Sequence, residues 1–230
     1  MISTARHHDY FDTLKHSYTP ITIVGAGAVG SKIFEALICL GLKDIIVYDF
    51  DKIEHQNIAN QLFTVNDVDK YKVDALYDWA TYKSGEKLPK DNFKHTKVEG
   101  NMKGAMKGIV FLLTDTMSSR KEIYENSLRF NSAVDLVIET RMSLTHGNIY
   151  LFNPKNTRQS REWLATLISD DAPTTDESLC GTALTIGTTA SVIANTAVSH
   201  LVHYMRGDDP DQITDIFLEP CFTTTKRWDN

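Results

Sequence analysis

Cysteine is scarce in this chain: three among 230 residues, at positions 39, 180 and 221. Three scattered thiols build neither a disulfide scaffold nor a four-cysteine zinc site. Cations are outnumbered, 24 Lys and Arg against 30 Asp and Glu, and the net charge of −6 disfavours a nucleic-acid-binding surface spread over the chain. No apolar run approaches the roughly 18 residues of a membrane-spanning helix. The first eight residues, Met1 to His8, hold no apolar signal-peptide core. Internal repeats and low-complexity blocks are missing as well. These absences leave the expectation of a soluble, acidic, cytoplasmic protein without a membrane or nucleic-acid partner. Its length fits one large domain or two small ones at roughly 100–200 residues each.

What is present is an alternation of strand and helix patterns. Tyr10, Phe11 and Leu14 suggest a short helical arm over residues 1–19, ended by Pro20. The β-branched run Ile21-Thr22-Ile23-Val24 suits a buried strand. Glycines follow, then Ile33, Leu37 and Leu40 at helical spacing, with Gly41 at the C-terminal stop. A second apolar strand runs over 44–49, completing a βαβ unit. Further along, the patterns predict a helix over 71–82, strands over 94–99 and 108–113, a helix over 119–130, and strands over 133–139 and 147–152. A long apolar helix is expected over 188–204 and a last strand over 213–218. The polar stretch 154–179, with Pro154 and Pro173, reads as a mobile crossing segment with a short helix over 161–168. The expectation is a single α/β domain over 1–230, a Rossmann-like doubly wound sheet, parallel in its N-terminal half and antiparallel in its C-terminal half.

Gly25, Gly27 and Gly30 fit the G-x-G-x-x-G spacing between that first strand and its helix. The first glycine permits the tight turn, the second lets a phosphate approach the backbone, and the third lets helix and strand pack closely. The helix N-terminus then offers unpaired N–H groups and a partial positive charge. Asp49 lies 19 residues past Gly30, at the end of the second strand, where a carboxylate accepts hydrogen bonds from ribose hydroxyls. The motif predicts a nucleotide carrying a ribose and does not by itself separate NAD, FAD and ATP.

The residues after the second strand are more distinctive. They read Asp49-Phe50-Asp51, then Asn57-Ile58-Ala59-Asn60-Gln61, then Asp69-Lys70-Tyr71-Lys72, and later Asp115-Thr116-Met117-Ser118-Ser119-Arg120. In order and spacing this resembles the ThiF/MoeB/HesA adenylyltransferases, relatives of ubiquitin-activating enzymes, over about residues 20–205. The resemblance implies ATP and Mg²⁺. Asp49 and Asp51 match the family's acid pair, and Asn57 and Gln61 match its nucleotide loop. Lys72 matches the lysine that reaches the phosphates, and Asp115 the acid that helps hold Mg²⁺. The implied reaction is adenylation of a carboxylate, at the C-terminus of a small ubiquitin-like or sulfur-carrier protein or peptide. A homodimer is implied by the same analogy.

The chain also departs from the family pattern. The family's nucleotide-loop arginine is Asn60 here, so one permanent positive charge is missing from the loop. The N-I-A-N-Q stretch and Arg141-Met142-Ser143-Leu144-Thr145 resemble a divergent branch found in phages and mobile elements. Arg6, Arg120 and Arg141 are candidates to supply the missing charge. The paired C-x-x-C zinc ligands of the family are absent. Cys180 lies just before the long final helix, where sulfur-transfer relatives carry an acceptor thiol, and it is the candidate acyl acceptor. Two other readings remain open at this point. One is a nucleotide-binding or protein-recognition relative impaired in catalysis, and the other an NAD-dependent oxidoreductase.

Overall fold

The computed structural model of the chain describes residues 2–170 and 185–228. Eight strands form one sheet in the order β3-β2-β1-β4-β5-β6-β7-β8. Strand β1 (Ile21–Val24) lies between β2 (Ile45–Tyr48) and β4 (Gly108–Leu112), parallel to both. The parallel part continues from β2 to the two-residue β3 (Phe93–Lys94) and from β4 to β5 (Val134–Met142). From β5 onward the pairing is antiparallel, through β6 (His146–Phe152), β7 (Ile213–Leu218) and β8 (Cys221–Lys226).

Every residue of β1 and β4 is buried, as expected for parallel strands covered on both faces. One face packs against α2 (Ala28–Cys39), α3 (Lys72–Ser84) and α6 (Gly187–Arg206), through Ile33, Leu37, Leu76, Ile193 and Leu201. The other packs against α4 (Met117–Ile123) and α5 (Thr157–Ala165), through Ile123, Tyr124 and Trp163. The chain steps from β1 toward β2 and β3 on one side, then returns to place β4 and β5 on the other. The divergence between β1 and β4 opens a crevice at the C-terminal ends of the strands, the usual ligand position in such sheets.

The pairing of β5 with β4 is irregular at its start. Gly108 stands opposite Val134 and Ile109 opposite Leu136, so Asp135 is an extra, exposed residue. This is a β-bulge.

Several extents differ from the expectations. The strand expected over 94–99 stops at Lys94, because His95 turns away to pair with Asp74 at 3.0 Å and stack on Tyr71. The helix expected over 119–130 starts at Met117, where Thr116 caps it, and widens into a π turn over Tyr124–Leu128. Strand β5 runs three residues past 139, so Arg141 and Met142 are strand residues. The arm over 1–19 is helical only at α1 (Thr13–His16), capped by Asp12. The crossing segment begins with α5, whose Trp163 is fully buried. Residues 171–184 lie outside the described residues. Strand β8 was not expected from the sequence: all six of its residues are exposed, so it carries no alternation to detect.

Candidate functional site

Two adjoining cavities open at the crevice, of about 800 Å³ and about 300 Å³. They share Gly27, Asp51, Lys72, Leu113, Thr114 and Asp115 as common walls. The narrow limb adds apolar surface from Tyr48, Phe50, Val98 and Ile123 to polar groups that include Asp49, Lys97, Ser118 and Ser119, a mixture that suits a nucleoside. The wide limb runs the other way, past Gly30, Asn57, Asn60 and Gln61 to Arg120, Thr140, Met142 and Thr185.

The glycine turn is sterically required. Gly25 has φ +103°, and a Cβ there would lie 2.7 Å from the Leu113 carbonyl oxygen. A Cβ at Gly30 would lie 2.0 Å from the Gly25 carbonyl oxygen, so that contact between helix and turn exists only without a side chain. Gly27 differs: a Cβ there would meet nothing within 4 Å, because the residue faces the open junction of the two limbs. Gly27 is also the N-cap of α2, and no side chain caps that helix. Its first N–H groups and its positive dipole end are therefore presented to the cleft.

Asp49 sits at the end of β2, buried, with both oxygens engaged by backbone donors. Ala26 N–H donates to Oδ2 at 2.6 Å and Asp51 N–H to Oδ1 at 2.8 Å. Burial pushes its carboxyl above the usual range, while Lys72 and the two backbone donors oppose that push. A carboxylate has about four acceptor sites, so two backbone bonds leave capacity for ribose hydroxyls. Lys72 opens α3 and is itself buried, with Nζ 2.7 Å from Asp51 Oδ2 and 4.0 Å from Asp49 Oδ1.

The loop carrying Asn57, Asn60 and Gln61 is tied in at both ends. The Asn57 side-chain oxygen accepts the Glu54 N–H at 2.9 Å, closing a 3-10 turn over His55–Asn57. Asn60 Nδ2 donates to Thr185 Oγ1 at 2.6 Å, bringing this loop against the segment that leads into α6. Asn60 Oδ1 and Gln61 Oε1 are buried acceptors without a donor among the described residues. Both residues line the wide limb.

Asp115 follows β4 and is exposed at the junction of the limbs. Just beyond it the start of α4 is capped by Thr116 and by Asp170, whose oxygens accept the Met117 N–H at 2.6 Å and the Ser118 N–H at 3.1 Å. Hydrogen bonding from Ser118, then from the Met117 backbone, holds the Asp170 carboxyl below its usual range. Among the described residues no group of three His, Cys, Asp or Glu side chains is placed to hold a metal ion.

Arg120 reaches the wide limb but is not an isolated cation. Its Nε lies 2.9 Å from Glu139 Oε1, and burial lowers its pKa while Glu139 opposes that shift. Arg141, also a candidate, pairs with Glu139 and is absent from the walls of both limbs. Glu139 was missed by the sequence reading. Its signal was a charged i, i+2 pair, Glu139 and Arg141, in a Val134–Met142 strand that is apolar apart from Asp135 and Thr140. The structure brings together Gly27, Gly30, Asp51, Asn57, Asn60, Gln61, Lys72, Asp115 and Arg120 around the wide limb, with Gly25 and Asp49 on the narrow one. Cys180 lies outside the described residues, and the exposed Arg6 is in neither limb.

This arrangement has relatives. The chain is 26% identical over 207 residues to ubiquitin-like modifier-activating enzyme 5 of Drosophila mojavensis, covering 80% of this chain and 50% of that protein. It thus spans about half the length of the curated relatives it matches. Its fold is similar to that of E. coli MccB, with a TM-score of 0.72 at 15% identity, covering 94% of this chain and 64% of that one. MccB solved with AMPCPP and MccA superposes with a TM-score of 0.68 at 13% identity, over 95% of this chain and 66% of that one. The sequence profile of the ThiF family matches residues 4–229, nearly the whole chain, and the protein belongs to that family.

Proposed function

We propose that the protein activates a carboxylate with ATP, forming an acyl-adenylate and releasing pyrophosphate. The carboxylate belongs to the C-terminus of a small protein or peptide. The observation that carries this reading is the two-limbed cleft hinged at Lys72: one limb suits a nucleoside, and the other has room for phosphates and a second substrate. MccB, of the same fold, has been solved with ATP and with MccA, which supports a nucleotide and a small partner here.

ATP supplies the electrophilic α-phosphorus and the pyrophosphate leaving group. The protein's part is positioning and charge stabilisation. Asp49 accepts from the ribose hydroxyls, and the uncapped start of α2 donates N–H groups to phosphate oxygens. Lys72 holds a buried positive charge against the same oxygens. Asp115 would hold Mg²⁺ together with the phosphates, since one carboxylate plus substrate phosphates is a usual magnesium environment. Cys180 keeps its proposed role as acyl acceptor, its thiolate taking the acyl group from the adenylate as AMP leaves, to be tested by trapping a thioester that excess thiol cleaves. A homodimer in the cytoplasm completes the proposal, its oligomeric state measured by analytical ultracentrifugation.

ATP–pyrophosphate exchange tests the reading. Exchange is expected only with a partner whose C-terminal carboxylate is free, and amidation of that terminus abolishes it. Thermal stabilisation by ATP and not by NAD is expected alongside. Absence of exchange overturns the adenylation, and absence of ATP binding overturns the nucleotide site with it.

A further inference from the structure

Strand β5 ends in a cluster of buried charges. Glu139 is fully buried, yet its carboxylate meets Arg120 Nε at 2.9 Å, accepts Arg141 Nε at 3.1 and 3.0 Å, and accepts Trp163 Nε1 at 3.1 Å. Burying ions costs more than burying apolar groups of the same volume, so stability alone is a weak reason for such a cluster. Two arginines and one glutamate also sum to one net positive charge.

The two arginines are placed differently. Arg141 is occupied on every side: Nη1 and Nη2 donate to Thr166 O and Oγ1, each at 2.8 Å, and the guanidinium lies 4.4 Å over the Tyr150 ring. Arg120 is 5% exposed and held at two points: Nη2 donates to Thr140 O at 3.0 Å, and Nε lies 2.9 Å from Glu139 Oε1 in an ion pair whose geometry makes no hydrogen bond. Its Nη1 meets only the soft Met117 sulfur, at 3.5 Å, among the described residues. A guanidinium carries five N–H groups in a rigid fork. Two anchors therefore leave donors over, and Arg120 is a wall of the wide limb beside Thr140 and Met142.

We infer that Glu139 is a positioning residue: braced by Arg141 and Trp163, it fixes Arg120 so that one edge of its guanidinium binds an anionic oxygen in the wide limb. That oxygen belongs to the triphosphate or to the carboxylate to be activated, an identity that rests on the proposed adenylation. Arg120 then supplies from α4 the positive charge that neutral Asn60 does not supply from the nucleotide loop.

Binding tests this without requiring turnover. Calorimetry compares ATP, AMP and adenosine on the wild type, Arg120→Met, Glu139→Gln and Glu139→Asp. A second series compares acetyl-glycylglycine with its amide on the AMP-loaded protein. Arg120→Met and Glu139→Gln are expected to weaken ATP about 10- to 100-fold, the size of a lost charge-assisted hydrogen bond, with adenosine unchanged. Glu139→Asp is expected to recover most of the loss. Unchanged adenosine affinity is a readout that a merely structural role of Glu139 does not preserve. Should Glu139→Gln not fold, Arg120→Lys keeps the charge, loses the fork, and weakens ATP about tenfold. If the ATP-to-adenosine ratio holds and discrimination of acetyl-glycylglycine from its amide is lost, the anion is the carboxylate. If both hold in Arg120→Met, the inference is overturned. A wild type that binds ATP without exchanging pyrophosphate refutes adenylation and leaves the Arg120 comparison intact, whereas a wild type that does not bind ATP overturns both.

Discussion

Lys72 Nζ sits 2.7 Å from Asp51 Oδ2 and 4.0 Å from Asp49 Oδ1, so one buried cation is held between two carboxylates at the junction of both limbs. An ammonium confined this way is preorganised. Phosphate oxygens entering the cleft meet a charge that has already given up most of its water. Lys72→Met is therefore expected to lower pyrophosphate exchange about 10²- to 10³-fold, the usual loss on removing one transition-state donor. It also leaves Asp49 and Asp51 facing each other without a cation, so the variant should melt below the wild type. Exchange kinetics and a thermal melt read the two effects separately.

Asp49 gives a prediction about sugar selectivity. Its backbone bonds to Ala26 and Asp51 fix the carboxylate at the floor of the narrow limb. The wild type should bind ATP more tightly than 2′,3′-dideoxy-ATP by about 10- to 100-fold, the range of hydrogen bonds to a charged group. Asp49→Ala should bind the two alike. A variant that still prefers the ribose would remove Asp49 from this role.

The glycine turn offers a contrast within three residues. Gly to Ala inside a helix ordinarily stabilises by about 0.4–1 kcal/mol. Gly30→Ala should do the reverse, because its Cβ would lie 2.0 Å from a backbone oxygen. Gly27→Ala has open space around it, so its melting temperature should stay near that of the wild type while ATP affinity falls. Melting curves with and without ATP distinguish the two.

Much of this region was legible in advance because it is local. A β-branched run, three glycines at fixed spacing, an apolar helix and a terminal acid follow one another from Ile21 to Asp49, and each constrains its neighbour. The long helix α6 was legible for the same reason, through its apolar periodicity. What escaped was assembled from distant segments. Glu139 acquires its meaning from Arg120, Arg141 and Trp163 on three elements, and of these only Arg141 lies near it in sequence. The hold of Asn60 on Thr185 spans 125 residues. The pocket walls formed by Thr140 and Met142 depend on β5 continuing past Glu139, which composition alone did not indicate.

Asp170 predicts an acid-dependent stability. Its folded pKa lies below the ordinary aspartate value of 3.8, because the ionised form accepts hydrogen bonds at the start of α4. The contribution is present above that value and is lost as pH falls through the folded pKa. Asp170→Asn should melt below the wild type at pH 7, and the gap should close as the pH drops below 3.8. A gap independent of pH would mean that the charge of Asp170 is not what stabilises the helix end.

Trp163 predicts a larger, pH-independent effect. Fully buried, it stacks 4.7 Å from Phe152 and lies 5.2 Å from Tyr124. Trp163→Ala should cost about 3–5 kcal/mol, as large-to-small core substitutions do. At roughly 2–4 °C per kcal/mol for a domain this size, the melting temperature should fall by about 6–20 °C.

The bulge at Asp135 bears on all of this. Side chains of a regular strand alternate, so residues an odd number apart face opposite ways. Val134 and Val137 are three apart, yet both enter the core beneath α4 and α5. One inserted residue has reversed the parity of everything downstream. Were Asp135 taken into a regular ladder instead, Glu139 and Arg141 would project toward α6, and Thr140 and Met142 would take the face where Arg120 waits. Deleting Asp135 would leave Leu136 onward on its present faces, whereas pairing Asp135 with Ile109 would exchange the two faces of the strand that builds the cleft's far wall.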